Sequence, residues 1–128
     1  MGVAVLDTSV VIGAIDIADA LHARSVSAIR SARRRHDLTV PAVVFAEALV
    51  GARLAGGEAV DWVETFVRGA PVAVFTVDMA RRAADIRARH RLPLPDAMII
   101  GTAIELSAAV ILTAYRRWKE IDARVQVV

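Results

Sequence analysis

The stretch Val3-Ala4-Val5-Leu6-Asp7-Thr8-Ser9 constrains the fold more than any other. Four apolar strand formers are followed at once by the helical pattern Val10, Val11, Ala14, Ile15. That succession reads as a buried parallel strand feeding a helix, with Asp7 at the junction. A strand buried on both faces requires helices above and below, and the chain supplies the alternation to match. Further strands are expected at Leu38-Thr39-Val40, Pro71 to Phe75, Val110 to Thr113 and Val125-Gln126-Val127, with helical patterns between them. The expected architecture is an α/β single domain over residues 1–128, with a mostly parallel sheet of four to five strands covered on both faces. Ligands of such sheets bind at the carboxyl edge, where Asp7 lies.

Composition narrows the chemistry. Cysteine is absent from the 128 residues, which excludes a disulfide framework, a thiol nucleophile and a Cys-based zinc site. The hydrophobic fraction is 56%, yet Glu47, Asp96 and Glu105 break the apolar runs before the roughly 18 residues needed to span a bilayer. With no signal peptide ahead of the first strand, the expectation is a soluble, cytoplasmic protein. Its apolar surface exceeds what one small core hides, which implies a protein partner, a second copy of the chain included. Only Lys119 of the 16 basic residues is lysine, and the net charge is +2. Arginine suits bidentate phosphate contact, although most such residues simply solvate a surface. The run Arg33-Arg34-Arg35-His36 also suits the C-terminus of a helix that Asp19 would cap.

Three acids stand out against apolar surroundings. Asp7 ends the first strand, Glu47 interrupts Val43, Val44, Ala46, Leu49 and Val50 on a helix opened by Pro41, and Asp96 follows Pro95 at the start of another apolar helix. Each has an ordinary explanation: Asp7 and Asp96 as helix caps, Glu47 as an exposed residue or a partner of Arg53. A lone buried carboxylate is costly unless paired, protonated or bound to a metal. Three carboxylates without a cysteine are hard oxygen ligands, which suit Mg²⁺ or Mn²⁺, ions that activate water in phosphoryl transfer. If all three serve one ion, their carboxylates must meet in one cleft, each within about 5 Å of a common point. Asp78 is expected to cap a strongly basic helix carrying Arg87 and Arg89, while Trp62 and Phe66 are expected in the core or an interface.

The segments LDTSVV, PAVVFAEAL, RLPLPDAMIIGTA and ILTAYRRW, in this order, resemble the PIN-domain ribonucleases, in particular the VapC toxins of toxin-antitoxin pairs. The resemblance covers essentially the whole chain and implies a PIN-like three-layer α/β/α sandwich. It places Asp7, Glu47 and Asp96 as metal-binding catalytic acids, with Thr8, Ser9 and Thr113 as hydroxyls supporting the site. It also implies Mg²⁺- or Mn²⁺-dependent cleavage of single-stranded regions of RNA, a homodimer, and inhibition by a VapB-type antitoxin. Arg87, Arg89, Arg116 and Arg117 are the candidates for holding the RNA backbone.

One position departs from the pattern. Similar proteins usually carry a fourth acid two residues after the strand-end Thr, where this chain has Tyr115. A phenol with an ordinary pKa near 10 cannot act as a hard anionic ligand at neutral pH, so a weakened nuclease is expected. Two alternatives stay open: a non-catalytic pseudo-nuclease that binds antitoxin or RNA, and a receiver-like signalling domain with an acidic pocket. The receiver type normally has paired acids after its first strand, and Asp7-Thr8-Ser9 offers one.

Overall fold

The computed structural model describes residues 2–128. Strand β1 (Gly2–Leu6) leads into helix α1 (Thr8–Ile15) and then α2 (His22–Arg33). Strand β2 (His36–Pro41) is followed by α3 (Ala42–Ala55), α4 (Ala59–Gly69) and the short β3 (Val72–Ala73). Helices α5 (Val77–His90) and α6 (Leu94–Glu105) precede β4 (Val110–Thr113), a 3₁₀ turn (Arg116–Glu120) and β5 (Val125–Val127). No helix among the described residues is long and apolar enough to cross a membrane.

All five strands are parallel, in the order β3-β2-β1-β4-β5. Strand β1 is therefore central, with Val5 level with Thr39 on one side and Ile111 on the other. The fully buried Ala4, Val5 and Leu6 explain why this strand is apolar without alternation. The chain steps outward from β1 to β2 to β3, then returns across the sheet to β4. Because parallel crossovers are right-handed, the outward steps place α1 to α4 on one face and the return step places α5 and α6 on the other. The strand order thus reverses between β1 and β4, and the crevice outside their carboxyl ends is the natural ligand site of such a sheet. Asp7 and Thr113 stand at those two ends.

Several local expectations are corrected. Asp19 does not cap α2; its carboxylate accepts the Leu21 N–H at 2.8 Å in a turn ahead of the helix. Thr76, not Asp78, caps α5, and Asp78 pairs with Arg81 instead. Strand β3 is only Val72–Ala73 of the expected Pro71 to Phe75, because pairing with β2 ends at Pro41, where that chain turns into α3. Phe66 packs on the core, whereas Trp62 is 53% exposed.

Candidate active site at the carboxyl edge

Asp7 is both a helix cap and the centre of a polar cluster. It is 2% exposed, and its Oδ1 accepts the Thr8 N–H at 2.7 Å as N-cap of α1. Its Oδ2 accepts the hydroxyls of Ser9 at 2.7 Å and of the fully buried Thr113 at 2.8 Å. Those hydroxyls in turn accept the N–H groups of Ala114 at 3.2 Å and Tyr115 at 3.1 Å. The ends of β1 and β4 are thereby joined through one carboxylate. Burial pushes the Asp7 pKa up; its hydrogen bonds from Ser9, Thr113 and Thr8 oppose the rise, and nearby Glu47 adds to it.

Glu47 corrects the burial argument. It is exposed, because α3 also turns Ala46 and Val50 to solvent, so no desolvation cost requires a partner. Neither does it pair with Arg53; its Oε1 accepts the Thr8 hydroxyl at 2.7 Å, which brings it beside Asp7.

Asp96 is not a cap. Pro93 holds the N-cap position with no side-chain hydrogen bond, and Asp96 lies two residues inside α6, its carboxylate half-buried. Burial raises its pKa, the charges of Asp7 and Glu47 raise it further, and the Arg117 guanidinium opposes them. The three acids therefore feel one another across one crevice. They do not close into a ready cage: among the described residues, no group of three or more acids or histidines is set closely enough to hold an ion. The tight common point expected from the sequence is thus not formed by the acids alone. The donor set around the crevice nonetheless consists of carboxylates and hydroxyls, the chemistry that suits a hard divalent cation.

Tyr115 stands at the same edge, 52% exposed, its ring 5.7 Å from that of Trp118 at an interplanar angle of 36°. Burial first, then the charges of Asp7, Asp96 and Glu47, push its phenol pKa up, so the group stays protonated at neutral pH. Of the four candidate RNA-holding arginines, Arg117 faces Asp96 and also donates to the His90 carbonyl at 2.7 Å. Arg87 donates to the Leu92 carbonyl and Arg89 pairs with Asp85 at 3.2 Å. Arg116 has no hydrogen bond or ion pair among the described residues. The basic face of α5 is thus less free than its composition suggests, since Asp78 and Glu105 also engage Arg81 and Arg82.

Sequence reasoning missed two features. Trp118 is the largest fully buried side chain and underlies Tyr115, which only the register of the 3₁₀ turn reveals. An apolar groove of about 280 Å³ between α1, α3 and α4, lined by Ile12, Ala48, Ala52 and Trp62 among others, lies apart from the acids.

The mutual repulsion has a consequence for stability. An acid whose pKa is raised by folding contributes stability below its ordinary pKa, and that contribution is lost as pH rises through the folded value. In EDTA, Asp96→Asn is therefore expected to melt above the wild type at pH 7, with the gap closing as pH falls to about 4. Thermal melts across that range check this; a gap that widens on acidification would contradict it.

The PIN-domain profile matches residues 4–124. A search of curated proteins found no match. Among solved structures, a chain of VapBC2 from Rickettsia felis, bound to a DNA fragment from the promoter, superposes at a TM-score of 0.80 with 13% identity, over 98% of this chain and 97% of that one. A chain of DNA-bound VapBC from Salmonella typhimurium gives 0.76 at 23% identity, over 100% and 98%. VapC20 of Mycobacterium tuberculosis, a sarcin-ricin loop cleaving toxin, gives 0.70 at 17% identity, over 84% and 86%. A receiver-like domain is set aside by the same match. With the profile spanning nearly all of its length and the all-parallel sheet in agreement, the chain belongs to the PIN-domain family.

Proposed function

We propose that this chain is a single-domain, Mg²⁺- or Mn²⁺-dependent endoribonuclease of the VapC kind, cutting single-stranded regions of cellular RNA and held in check by a VapB-type antitoxin. The observation that carries the reading is geometric: Asp7 is held by Thr113 of β4 and flanked through Thr8 by Glu47 at the point where the strand order of a PIN fold reverses, with Asp96 near enough to share its field. Asp7 and Asp96 are the residues that would hold the ion, with Thr113 fixing the Asp7 carboxylate from the end of β4 and Ser9 bracing it from the first turn of α1. Glu47 would serve as a further ligand or accept the proton of the attacking water, and its bond to Thr8 orients it for either role. The chemistry a bound Mg²⁺ or Mn²⁺ supplies is activation of water and neutralisation of phosphate charge. Arg116 and Arg117, next to Tyr115, are the arginines best placed to hold the RNA backbone, ahead of Arg87 and Arg89.

The test is cleavage of a labelled single-stranded RNA by the purified chain with Mg²⁺ or Mn²⁺, abolished by EDTA. Activity that survives EDTA would refute the metal role. Absence of cleavage from both the wild type and Tyr115→Asp would favour the pseudo-nuclease that only binds antitoxin or RNA.

Protein partners are supported by the VapBC complexes among the structural relatives and by exposed apolar side chains, Val50 and Leu54 on α3 and Trp62 at the apolar groove. We expect a homodimer at micromolar concentration that buries part of this surface, measured by light scattering; a monomer would refute it.

A further inference from the structure

We propose that Tyr115 is a base-stacking platform, binding one nucleobase of single-stranded RNA beside the acidic crevice. This rests on the nuclease reading and adds to it the subsite that positions the strand.

The carboxylates of Asp7, Glu47 and Asp96 at this edge of the sheet repel phosphate, so a strand lying there needs an attraction that does not depend on charge. Stacking on an aromatic face supplies one, and it tolerates any base. The chain has only six aromatic residues of the Phe, Trp and Tyr types: three Phe, two Trp and one Tyr. Of these, Trp62 and Tyr115 are the exposed ones, and Trp62 belongs to the groove away from the acids. Tyr115 is the aromatic that stands with the acids.

Its placement is fixed rather than loose. The Tyr115 N–H is held by the Thr113 hydroxyl, which itself donates to Asp7, so the backbone under the ring is tied to the central carboxylate. The ring leans on Trp118, which is 1% exposed and cannot yield. A side chain already ordered on a buried neighbour loses little freedom when a base stacks on it. Half of its surface stays open to solvent, the share a base would cover. Burial, and then the neighbouring carboxylates, favour the neutral phenol, which does not add to the repulsion of phosphate.

Stacking releases no counterions, which gives the test its sign. Binding of a fluorescent 12-nucleotide oligoadenylate is measured in EDTA by anisotropy across a salt series, beside an abasic ribose-phosphate oligomer of the same length. Tyr115→Ala is expected to weaken oligoadenylate binding about tenfold, within the range for loss of one stacked base, with the log-log salt slope unchanged. Tyr115→Phe should bind as the wild type does, and the abasic oligomer should bind wild type and Tyr115→Ala alike. As a contrast, Arg116→Ala should flatten the slope by about 0.7 if it holds one phosphate. Equal oligoadenylate affinity of Tyr115→Ala and wild type overturns the stacking role, as does an equal loss on the abasic oligomer. A wild type that binds no RNA overturns the nuclease reading and this subsite with it.

Discussion

Asp96→Asn is expected to lower Mg²⁺- or Mn²⁺-dependent RNA cleavage at least about a hundredfold, since loss of even an outer partner of a metal ligand commonly costs about 10- to 100-fold. The exchange keeps the size and shape of the side chain and removes only its charge. Among the described residues no donor hydrogen-bonds to the Asp96 carboxylate and it caps nothing, so the only attraction lost is that of Arg117. Burial, and then the charges of Asp7 and Glu47, disfavour a negative charge there, while Arg117 opposes them. A variant that is inactive yet at least as stable as wild type in EDTA would show that the fold tolerates this acid for the sake of function. Cleavage at wild-type rate by Asp96→Asn would remove it from the mechanism.

Tyr115→Asp is expected to raise cleavage at least about tenfold, equivalent to about 1.4 kcal/mol in the barrier. On the proposed function, the substitution supplies the fourth carboxylate that the family resemblance implies at this position, and with it charge that would help hold a divalent ion. The half-exposed ring can be removed without opening the core, because Trp118 beneath it is held by its own burial. Two further signs accompany the gain. Without metal, a fourth acid adds repulsion and lowers the melting temperature, and Mg²⁺ restores it by binding the folded form. With the stacking surface gone, KM rises while kcat increases, which separates the two roles of this position. Equal cleavage by the two forms, with Asp96→Asn inactive in both, would show that three acids suffice.

The sheet was legible because its signal is local and redundant. Buried parallel strands have no alternation, and Val3 to Leu6 and Val110 to Thr113 show none. The three acids stand out in the sequence as single charges inside apolar runs, and their order carried the resemblance to the family; their role at a metal site is the proposal made above. What could not be read was three-dimensional. For Glu47 the apolar helix left burial and exposure equally open, and α3 leaves its side exposed to solvent. Asp96 looked like a cap because Asp at a helix start usually is one; Pro93 and Pro95 instead start α6 two residues earlier. The arginines of α5 looked free because their acidic partners lie partly on another helix, Glu105 among them.

The hydrogen bond between Thr113 and Asp7 joins residues 106 apart in sequence, and β1 takes β4 as its second neighbour. During synthesis Asp7 is therefore made well before Thr113. Until β4 docks, the central strand has an open edge and the carboxylate lacks its buried hydroxyl partner. Closing so long a loop is slow compared with forming the local helices. A growing chain can therefore complete α1 to α4 on their face without yet having the crevice. On the proposed function, an RNA-cutting protein emerging from a ribosome would gain its working site only after β4 has been made and docked, which delays its reaction with the RNA around it.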